Sequence, residues 1–298
     1  MKTIITGATG FVGKNLSEYL FKRAFSIQGL SLRNSNWKSE MDINASVIVH
    51  LAGKAHDLKK TANDKEYYEI NFELTKNIYD EFLESNAKKF IYFSSVKAVK
   101  DVVEGVLKED NIAEPITPYG KSKRMAEEYI LSNLPEDKSV YILRPCMIHG
   151  PENKGNLNLL YNIINKGIPY PLASYNNKRS FLSVDNLCFV IEQILVNDIP
   201  SGIYHLADDE ALSTNELVLL IGENLSKKVK LWRIPKAMIN LVAKVGDIFK
   251  LPLNSERLQK MTENYEVSNS KIVEVIGKPF PLSSKEGLIR TFKSFNKK

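Results

Sequence analysis

Thr6-Gly7-Ala8-Thr9-Gly10-Phe11-Val12-Gly13 is the stretch that decides the fold. Its three glycines, spaced GxxGxxG, follow the β-branched run Lys2–Thr6. They precede Lys14–Arg23, where Leu16, Tyr19 and Leu20 recur at helical spacing. In that setting Gly7 turns the chain sharply, Gly10 lets the backbone approach a pyrophosphate, and Gly13 lets helix and strand pack closely. The helix N-terminus adds free N–H groups and the positive end of a dipole, which suit phosphate oxygens. A glycine pattern by itself fits an ordinary tight turn; its place after a strand and before a helix is what phosphate binding demands.

Outward from this turn, Ser26–Leu32, Ser46–Leu51, Lys89–Ser94 and Val140–Arg144 read as further strands, with Tyr67–Ser85 and Tyr119–Leu131 as helices. Strands alternating with helices predict an α/β fold, a Rossmann-like doubly wound parallel sheet. After Pro151 the rhythm changes to longer helices, Asn156–Lys166, Asn215–Leu225 and Ala237–Phe249. The expected division is an NAD(P)-binding domain over 1–150, to which 179–210 returns. A smaller, mostly helical substrate domain is expected over 151–178 and 211–298. Ala237–Phe249 is amphipathic and is expected to pack on a neighbouring helix rather than on a membrane.

The 298 residues are 43% apolar and 26% charged, which excludes a disordered chain. Apolar stretches are broken well short of the ~18 residues of a membrane span, so no membrane insertion is expected. Met1-Lys2-Thr3 leads directly into the first strand, leaving no room for a signal peptide, and a cytoplasmic location is expected. Cys146 and Cys188 make no disulfide framework and sit in no metal-ligand spacing, so no metal is expected. Lys and Arg number 41 against 35 Asp and Glu, a net charge of +6. The two signs alternate without a basic block or aromatic interleaving, which argues against nucleic acid and leaves a small anionic ligand compatible.

Tyr119-Gly120-Lys121-Ser122-Lys123 carries the second signal. With Thr117 as N-cap and Pro118 opening the helix, Tyr119 and Lys123 lie one turn apart on one face. A phenol of pKa about 10 is a poor acid–base group at neutral pH. A nearby ammonium and an oxidised nicotinamide are expected to lower that pKa. The bland reading is two residues on an exposed turn. At the end of the fourth strand stand Ser94 and Ser95, where a hydroxyl would face the ligand crevice and orient a sugar oxygen towards Tyr119; the bland reading is a serine closing a strand. The second strand ends Gly29-Leu30-Ser31-Leu32-Arg33 without an acid for the adenosine ribose. Ser31 and Arg33 suit a 2′-phosphate, so NADP is favoured over NAD, against a solvent-facing Arg33 that touches nothing.

The order and spacing of TGATGFVG, HLAG (His50–Gly53), the Ser-Ser strand end, YGKSK and RPCMIHGP (Arg144–Pro151) resemble the extended short-chain dehydrogenase/reductase family. Within it, they are similar to the NAD(P)-dependent nucleotide-sugar epimerase/dehydratase group over nearly the whole chain. The resemblance implies that Gly7, Thr9, Gly10, Phe11, Val12 and Gly13 surround the pyrophosphate, with Leu51, Ala52 and Gly53 also against the cofactor. It implies Tyr119 as the acid–base residue, Lys123 on the nicotinamide ribose, and a hydroxyl from Ser95 or Ser94, the register pointing to Ser95. It also implies that Asn71 supports the site, that Asn156 touches the nucleotide sugar, and that Arg179 clamps its diphosphate. Arg257 is a second clamp or a surface helix residue, and His149 and His205 are read as structural.

Dehydratases of the group carry Thr-Asp-Glu where this chain has Ser95-Val96-Lys97, so water elimination is disfavoured and hydride exchange at C4 of the sugar remains. KGNLNLL, KGIPYPL and NNKRSFLSVDNL look most like the branch that reduces a UDP-4-keto-6-deoxy-N-acetylhexosamine for surface polysaccharide precursors. The expectation is therefore an NAD(P)-dependent nucleotide-sugar reductase. The alternative is a 4-epimerase of UDP-hexose or UDP-N-acetylhexosamine with tightly bound NAD. A non-catalytic NADP-binding regulator is disfavoured because Tyr119 and Lys123 are both present. The expected partner is the nucleotide sugar, with a homodimer left open.

Overall fold

Ile4, Ile48, Phe90 and Ile142 alternate along their strands with Ile5, Val49, Ile91 and Leu143, and all eight are buried. Period-two burial on both faces requires a sheet covered on both sides. The computed structural model, which describes residues 1–54, 63–153, 155–249 and 254–295, shows that sheet. Its strands are β1 (Lys2–Thr6), β2 (Ser26–Leu30), β3 (Val47–His50), β4 (Lys89–Phe93), β5 (Ser139–Pro145) and β6 (Gly202–Leu206). They are all parallel, in the order β2-β1-β3-β4-β5-β6. The order reverses between β1 and β3, and the crevice beyond their carboxyl ends is where such sheets bind ligands.

Helices α1 (Phe11–Phe21) and α4 (Val184–Val196) cover one face, through Leu16, Leu20, Leu187 and Ile191. Helices α2 (Leu74–Glu84) and α3 (Pro118–Ser132) cover the other, through Ile78, Phe82, Ala126 and Ile130. A third core gathers Leu157, Tyr161, Leu172, Leu217, Ile239, Leu258 and Phe292 from the later part of the chain.

Local details depart from the sequence reading in three places. First, α1 starts at Phe11 rather than Lys14, because Lys14 N already donates to Gly10 O at 2.9 Å and helical bonding begins inside the glycine turn. Second, the expected Tyr67–Ser85 helix is Asp64–Tyr68 and α2 joined by one π-helical turn, Glu69–Glu73. Single π turns recur at functional sites. Third, the amphipathic segment forms α5 (Lys236–Phe249), which seats only Ile239, Ala243 and Gly246 on the body. Packing on a neighbouring element accounts for that side alone; Met238, Leu241, Val242, Val245, Ile248 and Phe249 stay exposed.

Candidate active site

The glycine turn joins β1 to α1 at the point where the strand order reverses. Gly7 has φ +70°, a left-handed conformation, and a Cβ there would lie 2.8 Å from Ala52 N. A Cβ on Gly13 would lie 2.3 Å from Gly7 O and 2.6 Å from Ala8 Cα, so only glycine lets the helix pass so near the strand. Gly10 is different: a Cβ there would meet only Gly7 O, at 3.3 Å, and the residue is exposed. Backbone strain does not demand glycine at position 10, and the one close contact a Cβ would make, with Gly7 O, leaves its other side open to solvent. No side chain caps the helix at Gly10, which leaves N–H groups of the first turn directed at the same opening. Together these features fit the pyrophosphate of a dinucleotide. Thr9 is exposed beside Gly10, and Phe11 and Val12 are half-buried.

The loop after β3 is held against this turn. Ala52 N donates to Thr6 Oγ1 at 3.1 Å, and Leu51 N donates to Thr6 O at 3.2 Å. Thr6 Oγ1 lies 2.7 Å from His50 Nδ1, and His50 Nε2 lies 3.0 Å from Thr75 Oγ1, which itself donates to Asn71 O. Hydroxyl protons supplied this way make Nδ1 the acceptor and Nε2 the donor. Burial, with the Lys123 ammonium as the smaller cause, holds His50 at a pKa of about 3, so the ring is neutral. Asn71, on the π turn, accepts from Lys54 N at 2.8 Å and donates to Lys54 O and to Ser122 Oγ, both at 3.1 Å. A Cβ on Gly53 would lie 3.0 Å from Asn71 Oδ1 and 3.2 Å from Lys123 Nζ.

Helix α3 begins as its sequence requires, with Thr117 Oγ1 accepting from Gly120 N at 3.2 Å and Pro118 in the first turn. Tyr119 and Lys123 follow on one face. The Ser95 side chain lies beside the Tyr119 phenol and favours its ionised form, and Tyr67 packs edge-on against the Tyr119 ring, centroids 6.2 Å apart at 68°. Ser95 Oγ accepts from Lys97 N at 3.2 Å, which leaves its own proton available to a partner. Lys123 is buried. Its Nζ donates to Phe93 O at 2.7 Å and lies 4.9 Å from the Tyr92 ring centre.

The electrostatics differ from the sequence expectation. Burial pushes the Tyr119 pKa up, the neighbouring Ser95 side chain draws it back, and Tyr67 adds a further upward push. The Lys123 ammonium, turned to the end of β4, is not among the causes. Burial lowers Lys123 itself to about 8, with the Glu127 carboxylate working against that shift.

Ser94 points elsewhere. Its hydroxyl donates to Glu127 Oε1, and Glu127 also receives Arg144 Nε at 2.9 Å on Oε1 and Arg144 Nη2 at 2.6 Å on Oε2. Both charged groups are buried, and the fork-to-fork geometry satisfies them. Sequence reasoning missed this pair. The signal for it was the i, i+4 continuation of Tyr119 and Lys123 to Glu127, together with the arginine of RPCMIHGP.

Ser31 and Arg33 are exposed just past the end of β2. Arg179 pairs across to Leu212 and Tyr265. Its Nη1 donates to Lys260 O at 2.7 Å and its Nη2 lies 3.7 Å from Glu263. Lys97 reaches the same region, with Nζ 4.2 Å from the Tyr265 ring centre. Arg257 is exposed in the first turn of the Ser255–Thr262 helix, whose far end holds Arg179. Asn156 opens the Asn156–Asn165 helix, and its side chain lies outside the described residues. His149 and His205 are buried, His149 Nδ1 being 2.9 Å from Thr291 Oγ1 and His205 Nε2 3.5 Å from Arg144 Nη1.

The chain is similar to known proteins over most of its length. The chain is 32% identical to a UDP-glucose 4-epimerase of Vibrio cholerae, over 98% of this chain and 94% of that one. It is 28% identical to an N-acetyl-α-D-glucosaminyl-diphospho-ditrans,octacis-undecaprenol 4-epimerase of Escherichia coli O157:H7, over 97% and 93%. A UDP-2-acetamido-2,6-β-L-arabino-hexul-4-ose reductase of Pseudomonas aeruginosa is 28% identical over 68% of this chain and 52% of its own. Among solved structures, the Thermus thermophilus UDP-glucose 4-epimerase in complex with NAD superposes with a TM-score of 0.77, at 18% identity over 100% of this chain and 99% of that one. RMD of Pseudomonas aeruginosa, complexed with NADPH, also reaches 0.77, at 18% identity over 99% and 98%. At that identity the two structures establish the fold. The model of the NAD dependent epimerase/dehydratase family matches residues 3–207, and the chain belongs to that family.

Proposed function

We propose that the chain exchanges a hydride at C4 of a UDP-linked sugar, with Tyr119 as acid–base residue, and that it does so as a 4-epimerase. The observation that carries the chemistry is the Tyr119 phenol beside the Ser95 side chain, on a helix whose Lys123 is anchored to the end of β4. Gly7 to Gly13, Leu51 to Gly53 and Lys123 would hold the dinucleotide, whose nicotinamide, when bound, takes and returns the hydride. Tyr119 withdraws the proton of the sugar O4 hydroxyl and gives it back, Ser95 fixes the phenol's direction, and the half-buried ring keeps bulk water from that proton. Arg179 retains guanidinium donors beyond those on Lys260 and Glu263 for a diphosphate, and Asn156 and Arg257 would complete the substrate's grip.

Support for epimerisation comes from the two 4-epimerase relatives, which match almost the whole chain, whereas the reductase relative matches 68% of it. Reduction of a UDP-4-keto sugar is the second reading. It is favoured by Ser31 and Arg33 at the end of β2, where a 2′-phosphate would suit an exchanging NADPH. The same site chemistry suits a sugar joined through diphosphate to a polyprenol, the substrate named for the Escherichia coli relative.

The test is turnover by purified protein without added reductant. An epimerase converts UDP-glucose or UDP-N-acetylglucosamine with the cofactor it retains; stoichiometric consumption of NADPH with a UDP-4-keto sugar, and no conversion without it, would select the reductase. In either case Tyr119→Phe should keep fold and cofactor and lose about 10²–10⁴-fold in rate. A variant retaining a third of the wild-type rate would remove Tyr119 from this role.

A further inference from the structure

We propose that helix α5 is a docking surface for an anionic lipid bilayer, laying its outer side into the headgroup layer without crossing it. The proposal is independent of which sugar is turned over. Ile239, Ala243 and Gly246 seat one side of α5 on the body. Along another side run Met238, Leu241, Val242, Val245, Ile248 and Phe249, at the i, i+3, i+4, i+7 spacing of a single stripe. Leu241 is 64% exposed, Ile248 75% and Phe249 69%. Single exposed apolar residues are ordinary; a stripe of six along three turns is the sort of patch that marks an interaction site. Trp232, just before the helix, is 53% exposed, and indoles favour the boundary between water and lipid.

Charge selects the occupant. From Lys227 to Lys250 the sequence holds seven basic residues and one acidic residue, Asp247. The rest of the chain is balanced at 34 of each, so this segment carries the whole net charge of +6. The alternation of signs elsewhere hides that concentration. Asp247, the one acidic residue among them, is held by Ser255 through the backbone N–H at 3.0 Å and the hydroxyl at 2.6 Å. A two-fold dimer through α5 would set two such cationic segments against each other, and like charges across an interface cost affinity. An anionic bilayer instead satisfies both the apolar stripe and its cationic flanks, the combination that holds amphipathic helices in the interface plane. No described helix is long and apolar enough to cross a membrane, consistent with a peripheral contact.

The experiment is co-sedimentation of the full chain with phosphatidylcholine vesicles, with and without phosphatidylglycerol, at low and high salt, alongside sedimentation equilibrium without lipid. Wild type should pellet with the phosphatidylglycerol vesicles only, and less so at high salt. Leu241→Glu combined with Ile248→Glu should weaken that binding by at least about tenfold. Turnover of a soluble UDP-sugar should be unchanged, because neither residue belongs to the site. Lys236→Glu with Lys244→Glu should act similarly through charge alone. The idea fails if wild type ignores phosphatidylglycerol, or if the Leu241/Ile248 variant binds vesicles as wild type does. It fails equally if that variant instead turns a dimer into a monomer, which would show a second copy covering the stripe.

Discussion

Replacing Glu127 with Gln removes one charge from the buried pair behind the active site. Glu127 is fully buried and Arg144 is 2% exposed, so solvent cannot take over the guanidinium when the carboxylate goes. Two charge-assisted hydrogen bonds, at 2.9 and 2.6 Å, become contacts to a neutral amide. Breaking a buried pair from one side costs about 3–5 kcal/mol, a large share of a total stability of roughly 5–15 kcal/mol. At about 2–4 °C per kcal/mol for a chain of this size, the melting temperature should fall by roughly 6–20 °C. Arg144→Met on the same background removes the orphaned charge while keeping a long apolar stem, and should restore most of the loss. The second readout is Lys123. Its ammonium sits at a pKa of about 8 with Glu127 holding it up, so losing that carboxylate lowers the pKa further and neutralises the amine at a lower pH. The alkaline limb of cofactor affinity should therefore move down in pH. Urea melts of wild type, Glu127→Gln and the double variant, with cofactor titrations from pH 6.5 to about 9.5, which brackets the Lys123 transition, measure both effects. A single variant within about 1 kcal/mol of wild type, a double variant no better than the single, or an unmoved alkaline limb would each refute the reasoning.

Three further outcomes follow from the same geometry. Gly13→Ala places a Cβ against Gly7 O and Ala8 Cα, both backbone, and should lower stability by at least about 1–3 kcal/mol. Gly10→Ala meets only Gly7 O, at 3.3 Å, so its melting temperature should fall much less than that of Gly13→Ala while cofactor affinity collapses; full affinity in that variant would mean the pyrophosphate lies elsewhere. Arg33→Ala should weaken NADPH about tenfold and leave NADH nearly unchanged, and equal losses in titration would show that Arg33 does not read a 2′-phosphate. His50 and His205 are both held near 3 by burial, against about 6.5 when unfolded. The unfolded chain therefore binds up to two more protons below pH 6.5, and stability should fall as pH drops, approaching about 2.7 kcal/mol per pH unit. A flat stability between pH 6 and 4.5 would contradict that burial.

The amino-acid sequence alone carried what depends on near neighbours. Three glycines between a β-branched run and a helical run specified the first strand–helix turn, and Thr117-Pro118 specified the start of α3 with Tyr119 and Lys123 one turn apart. Both are local rules of backbone conformation and capping, so they are written within a few residues. The alternation of strands and helices specified the parallel sheet for the same reason, and the order of the motifs specified the family. Which serine faces Tyr119 was a different matter. A step of one residue turns a strand-end side chain to the other side, and the direction was decided when Ser94 met Glu127 and Arg144, partners brought in from a distant helix and strand. The Tyr119 pKa was also beyond local reading, since burial by the assembled fold raises it and the lysine one turn away is turned to the end of β4. In α5 the spacing marked an amphipathic helix, yet only tertiary packing decided that Ile239, Ala243 and Gly246 turn inward and Leu241, Ile248 and Phe249 outward. Helical periodicity records that a side is apolar; which side is buried depends on the surface the rest of the chain builds beneath it.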